Sequence, residues 1–89
     1  MLFKRTVKEK HIQAYFNDQI KAVKGAWHRK LSDRYQSNLP DNVVIYKGDT
    51  YWVELKAPGE EPRPGQIQVG KEIVAAGGFF LRYGAREYD

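Results

Sequence analysis

Two β-rich segments joined by a tight turn constrain the fold of this chain more than any other feature. Residues 42–46 (NVVIY) and 51–56 (YWVELK) are rich in the β-branched and aromatic residues that favour strands. The four residues between them, KGDT, suit a hairpin turn with Gly48 at the first central position. The chain therefore contains an antiparallel strand pair, and its core must be built on that pair.

The residues before this hairpin predict a helix and a strand. Apolar residues recur at helical spacing over residues 7–24, and Gly25 ends the predicted helix. A first strand is predicted within residues 25–31. The polar residues 32–40 then form a loop.

The residues after the hairpin predict a loop, a helix and a last strand. Residues 57–65 (APGEEPRPG) hold three prolines and two glycines, which excludes helix and central strand. Residues 66–76 predict a helix closed by glycines, and residues 79–83 (FFLRY) predict a strand buried on both faces. The predicted order is αβββαβ, an α/β fold with a mixed sheet flanked by helices, and we expect residues 1–89 to form a single domain.

The composition excludes several classes of site. The chain has 89 residues and no cysteine, which excludes disulfides, thiolate zinc sites and thiol nucleophiles. His11 and His28 lack any partner at metal-ligand spacing. The longest uncharged apolar stretch, residues 73–81, is far shorter than the ~20 residues of a membrane span, so we expect a cytoplasmic protein without membrane contact.

Positive charge is concentrated in the first third of the chain. Residues 1–36 carry nine Lys or Arg against three acids, whereas residues 37–89 carry six against eight. Such a basic segment suits contact with phosphates, although it is also typical of a solvated helix face. The residues expected to contact a nucleic-acid backbone are Lys21, Lys24, Arg29, Lys30 and Arg34, with Arg63 bordering the substrate groove.

Three charged residues converge on one face of the hairpin. With a turn on Gly48 and Asp49, Asp41 lies opposite Lys56 and diagonal to Glu54. Two carboxylates held close together require a compensating cation, and oxygen ligands suit Mg²⁺ or Mn²⁺. Lys56 would then orient the attacking water or stabilise the developing charge. The alternative is a surface strand on which Glu54 and Lys56 pair with neighbours.

Glu9 is a further candidate for this cluster. It falls in the same arc as the apolar residues of the first helix, where a carboxylate is costly to bury without a partner. Alternatively, Glu9 reaches solvent in the first helical turn and interacts favourably with the helix dipole. The sequence leaves both interpretations open.

Taken together, these residues resemble the virus-type replication-repair nuclease (VRR-NUC) domain of the PD-(D/E)XK nuclease superfamily. The resemblance covers residues 8–83 and rests on Glu9, Leu39-Pro40-Asp41, Trp52-Val53-Glu54-Leu55-Lys56, Gln66 and Gly77-Gly78. It implies a restriction-endonuclease-like core. One departure is Asn38, which stands where the family usually has glycine.

The resemblance also implies roles for individual residues. The implied metal ligands, for Mg²⁺ or Mn²⁺, are Asp41, Glu54, the Leu55 carbonyl and Glu9, the last directly or through water. Lys56 would be the motif lysine near the attacking water, and Gln66 the helix glutamine that supports the site.

The resemblance finally implies a metal-dependent endonuclease. Stand-alone phage members resemble dimeric resolvases of four-way (Holliday) junctions, whereas the domain in larger eukaryotic nucleases acts on flaps. We therefore expect a homodimer acting on branched double-stranded DNA in a bacterial or phage-infected cell. The alternatives are a flap-type nuclease, a non-catalytic DNA-binding accessory protein, and a partner-binding module without DNA affinity.

The large aromatic residues have two possible roles. One role for Trp27, Trp52 and Tyr51 is to stack on bases, but a domain this small usually needs such side chains in its core. The sequence favours the core.

Overall fold

A computed structural model describes residues 8–31 and 38–84, which form a four-stranded mixed sheet with one helix on each face. In chain order the elements are α1 (Glu9–Lys21), β1 (Trp27–Lys30), β2 (Asn42–Tyr46), β3 (Asp49–Lys56), α2 (Pro64–Ala75) and β4 (Phe79–Gly84). The predicted fold class and element order are confirmed. Neither described helix is long and apolar enough to cross a membrane.

The sheet has the strand order β1-β2-β3-β4. The first three strands are antiparallel neighbours, and β4 pairs with β3 in parallel after the α2 crossover. The prediction that residues 79–83 are buried on both faces was wrong. β4 lies at the edge of this sheet, and Phe79 and Leu81 are half-exposed because α1 covers only part of their face.

The β2–β3 hairpin turns one residue earlier than predicted. Its two turn residues are Lys47 and Gly48, both with positive φ, and Tyr46 pairs with Asp49. The predicted turn on Gly48 and Asp49 was therefore wrong, and the register differs by two residues. Because side chains alternate with a period of two, this shift leaves every side chain on its predicted face.

Helix α1 covers one face of the sheet and forms the hydrophobic core. The core consists of Ile12 and Phe16 from the helix and Val44, Val53 and Leu55 from the sheet. The helix is shorter than the predicted residues 7–24, since it begins at Glu9 and ends at Lys21. Gly25 lies in the following turn with φ +87°.

Helix α2 covers the opposite face. It begins at Pro64, so the prediction that residues 57–65 exclude helix was wrong for its last two residues. Proline is tolerated at the first helical position because its missing N–H has no intrahelical partner there. Gly70 allows close packing of the helix, since a Cβ at this position would lie 2.8 Å from the Phe80 ring.

The histidines and Trp27 have structural positions that the sequence does not reveal. His11 Nδ1 accepts a hydrogen bond from the Lys8 amide at the start of α1. His28 Nε2 lies 2.7 Å from Oδ1 of the fully buried Asn42. Trp27 is 45% exposed, so its expected place in the core was wrong. Strand β1 is an edge strand, and α2, which lies on the face to which Trp27 belongs, packs mainly against β4 at the other edge of the sheet.

Candidate active site

Glu54 is the most buried charged group of the site. Alternation along β3 places it with Lys56 on the face covered by α2, and its side chain is only 2% exposed. Glu54 Oε2 lies 3.1 Å from Lys56 Nζ. The carboxylate and the ammonium group therefore form a buried ion pair.

Gln66 joins this ion pair to helix α2. Its Nε2 donates to Glu54 Oε2, and its Oε1 accepts hydrogen bonds from Lys56 Nζ at 2.9 Å and from the Arg63 amide at 3.0 Å. Gln66 lies in the first turn of α2, and the Arg63 amide belongs to the residue that caps the helix. The first turn of the helix thus fixes the orientation of the Glu54 and Lys56 side chains.

Asp41 comes just before β2, at the same end of the hairpin. Continuing the observed register places it opposite Glu54, rather than opposite Lys56 as predicted. Its Oδ2 accepts a hydrogen bond of 2.8 Å from the Leu55 amide, which holds the carboxylate against β3. The Leu55 contact described by the structure is therefore made by its amide, whereas the resemblance implies its carbonyl as a ligand.

The surroundings of Glu54 disfavour its ionised form. Burial and the negative charge of Asp41 raise the pKa of Glu54, and the hydrogen bond and charge of Lys56 oppose that rise. Both raising effects penalise the ionised form. A cation beside the two carboxylates would remove the repulsion.

Glu9 lies near Asp41 and Glu60. Burial raises its pKa, as do the negative charges of Asp41 and Glu60 and a hydrogen bond with Glu60. The interpretation of Glu9 as a residue that only reaches solvent is therefore incomplete. Glu60 was not among the predicted site residues. It lies in the loop after β3, and its Oε1 accepts a hydrogen bond from the Ala57 amide.

The donor atoms fit a hard divalent ion. Glu54 Oε1 is buried and has no hydrogen-bond partner among the described residues, so it is an acceptor without a donor. It belongs to a carboxylate, the ligand type that Mg²⁺ and Mn²⁺ prefer. Residues 8–31 and 38–84 contain no preassembled group of three or more His, Cys, Asp or Glu side chains for a metal. Such an ion would therefore keep several water ligands.

Asn38 packs beside this site. A Cβ at Gly65 would lie 2.5 Å from the Asn38 side chain, so only glycine fits there without a shift of Asn38. The residue that departs from the family pattern thus contacts the first turn of α2, one residue before Gln66.

The predicted nucleic-acid-binding residues are spread over several elements. Lys21 and Lys24 are exposed at and beyond the end of α1, and Arg29 and Lys30 are exposed on β1. Arg34 lies outside the described residues. Arg63 is exposed at the start of α2, next to Gln66.

Two comparisons with known proteins find relatives. The "Putative nuclease p44" of Acyrthosiphon pisum secondary endosymbiont phage 1 is 28% identical over 74 residues, covering 82% of this chain and 78% of the relative. A solved structure of a VRR_NUC domain superposes with a TM-score of 0.77 at 29% identity. The similarity covers 90% of this chain and 87% of that one. No protein-family model matches.

The structural similarity extends over most of this chain and is accompanied by sequence identity. The residues on which the resemblance rests lie on β3, just before β2, in the first turns of the two helices and just after α2. The two similarities therefore support a nuclease domain of the VRR-NUC type, with a restriction-endonuclease-like fold.

Proposed function

We propose that this protein is an Mg²⁺- or Mn²⁺-dependent endonuclease that hydrolyses phosphodiester bonds in branched DNA. The observation that carries the proposal is the buried Glu54 carboxylate, which has one oxygen held by Lys56 and Gln66 and the other without a hydrogen-bond partner in residues 8–31 and 38–84. Burying such a group is costly unless something binds it. A site for a catalytic cation accounts for it.

In this proposal Asp41 and Glu54 hold the ion, and Glu9 approaches it directly or through water. When bound, the ion supplies positive charge to the scissile phosphate and lowers the pKa of a water molecule. Lys56 Nζ, fixed by Glu54 and Gln66, lies where it can orient that water or stabilise the charge that develops on the phosphate. Gln66 is a positioning residue, since it acts through Glu54 and Lys56.

We further propose that the substrate is a four-way junction and that the protein acts as a homodimer in the cytoplasm of a bacterial or phage-infected cell. Resolving a junction requires paired cuts on opposing strands, and two copies related by a twofold axis place two sites symmetrically. The half-exposed Phe79 and Leu81 on the edge strand β4 offer apolar area for an interface.

The test is strand cleavage of a four-way junction with Mg²⁺ or Mn²⁺, with linear duplex, flap and single-stranded DNA as competitors. We expect two symmetric incisions and preference for the junction. Preference for the flap would indicate a flap-type nuclease. Binding without any product strand, over a wide excess of protein, would indicate an accessory DNA-binding protein and would contradict the proposal.

Substitutions of Asp41 and Lys56 test whether the cleavage activity belongs to this site. Asp41→Ala and Lys56→Ala should abolish cleavage and leave the fold intact by circular dichroism. Glu72→Gln and Lys47→Ala are matched controls, because they remove the same charges at exposed positions away from the site. Full activity in either site variant would refute the assigned residues.

A further inference from the structure

An exposed aromatic side chain lies on the same sheet face as the candidate active site. Trp27 pairs with Ile45, and Arg29 pairs with Val43, which in turn pairs with Trp52. Directly paired residues share a face, and alternation places Trp52 with Glu54 and Lys56. The face that presents Glu54 and Lys56 therefore continues across the sheet to Trp27 on the opposite edge.

Trp27 and Arg29 form a preorganised cationic pair. The Arg29 guanidinium lies 4.7 Å from the centroid of the Trp27 ring, and its Nη1 donates a hydrogen bond of 2.8 Å to the His28 carbonyl. This hydrogen bond holds the guanidinium over the indole. Both side chains are exposed, so the pair contributes little to the core.

The positive charges near this pair favour a polyanion as the partner. Lys24 comes just before β1 and is exposed, and Arg29 adds a second positive charge, whereas Lys30 at the end of β1 belongs to the opposite face. A neutral apolar partner would gain nothing from these charges, whereas a nucleic-acid strand offers phosphates to the cations and a flat base to the aromatic ring. An unpaired base is required, because bases within a duplex are already stacked on each other.

The spacing also suits a strand that reaches the active site. Trp27 pairs with Ile45, four residues along β2 from Asp41, which is about 13 Å at about 3.3 Å per residue. One DNA strand advances about 3.4 Å per stacked nucleotide. A base at Trp27 would therefore lie about four nucleotides from a phosphate at Asp41.

From these observations, and resting on the proposed nuclease function, we propose that Trp27 and Arg29 form a platform on which an unpaired nucleobase of the substrate stacks. The platform selects DNA with exposed bases near the cut, such as the open centre of a branched structure or a gap. Fully paired duplex gains only the phosphate contacts of Lys24 and Arg29.

The test compares affinity for a duplex that contains a short gap with affinity for the fully paired duplex, by fluorescence anisotropy in EDTA. Without divalent ions no cleavage occurs, so this readout does not depend on the nuclease activity. We expect wild-type protein to prefer the gapped DNA. Trp27→Leu, which keeps apolar bulk but removes the ring, should weaken binding to the gapped DNA by about 5- to 100-fold. Binding to the paired duplex should change less than about twofold.

Two further measurements complete the experiment. Trp27→Phe should retain part of the preference, and 2-aminopurine in the gap should lose fluorescence on binding wild-type protein but not Trp27→Leu. Tyr15→Leu is the matched control, because Tyr15 is 60% exposed but lies on α1, on the other face of the sheet. The proposal is overturned if wild-type protein shows no preference for gapped DNA. It is also overturned if Trp27→Leu weakens binding to both DNAs equally, or weakens binding to neither.

The two proposals fail in different ways. Preference for gapped DNA through Trp27 without any cleavage would support the platform and contradict the proposed nuclease function. Cleavage of junctions combined with equal affinity for gapped and paired DNA would support the nuclease function and contradict the platform.

Discussion

Glu54 has a side chain to which solvent has almost no access, yet one of its oxygens has no hydrogen-bond partner in the described part of the chain. The other oxygen is bound by Lys56 and Gln66. A carboxylate that contributed only to stability would have both oxygens satisfied, since an unsatisfied buried acceptor costs about 1–3 kcal/mol. The arrangement is typical of a group kept ready for a ligand.

Removing this carboxylate should abolish activity without unfolding the protein. Glu54→Gln keeps the shape of the side chain and an acceptor for Gln66, but it removes the charge. We expect kcat to fall by at least about 100-fold, because losing a ligand costs more than the 10- to 100-fold typical of residues behind the ligands. Junction cleavage measures kcat, and Glu72→Gln should behave like the wild type.

Replacing Gln66 should reduce kcat less than replacing Glu54, because Gln66 only positions the charged groups. Gln66→Leu removes the hydrogen bonds that orient Glu54 and Lys56 but leaves both charges in place. We expect kcat to fall by about 10- to 100-fold with KM nearly unchanged. Metal binding should weaken in parallel. Wild-type kcat in Gln66→Leu would show that the amide is not needed to position the site.

Stability should depend on pH in the direction set by the raised pKa of Glu54. In the folded protein the carboxyl keeps its proton to a higher pH than in the unfolded chain. Its contribution to stability is therefore present below the unfolded pKa and is lost as the pH rises through the folded pKa. Without metal, the free energy of unfolding should fall more steeply over this range in the wild type than in Glu54→Gln. Denaturant titrations at several pH values measure the difference, and identical pH dependence would contradict it.

At the scale of elements, the sequence predicted the strands of the hairpin but not the exact position of the turn between them. Alternating β-branched and aromatic residues identified β2 and β3, but the single glycine of KGDT fits either central position of a two-residue turn. The structure selects the second position, which forces Lys47 to φ +50°. The predicted shared face of Asp41, Glu54 and Lys56 survived because the register changed by an even number of residues.

This turn gives a prediction about stability. Asn accepts positive φ better than Lys, and Asn-Gly is the preferred pair for such a turn. Lys47→Asn should therefore stabilise the protein by about 0.5–1 kcal/mol, or a rise in Tm of about 2–8 °C. Gly48→Ala should destabilise it, since φ is +85° at that residue. Differential scanning calorimetry measures both, and a lower Tm for Lys47→Asn would contradict the assigned turn.

At the scale of the whole molecule, the fold and the nuclease type were predictable because their signals are distributed along the chain. The exposure of Trp27 was not, because no local pattern tells an edge strand from a central one. The contact of Gln66 with Glu54 and Lys56 joins residues from β3 and α2, and it entered the prediction only through the family resemblance.

The central claim is that Asp41 and Glu54 together bind the divalent ion of a nuclease. Isothermal titration calorimetry of the protein with Mn²⁺ tests it without DNA or cleavage. The account predicts saturable binding to the wild type and to Glu72→Gln, and no detectable binding to Glu54→Gln or Asp41→Asn. Equal binding by all four proteins would contradict the claim.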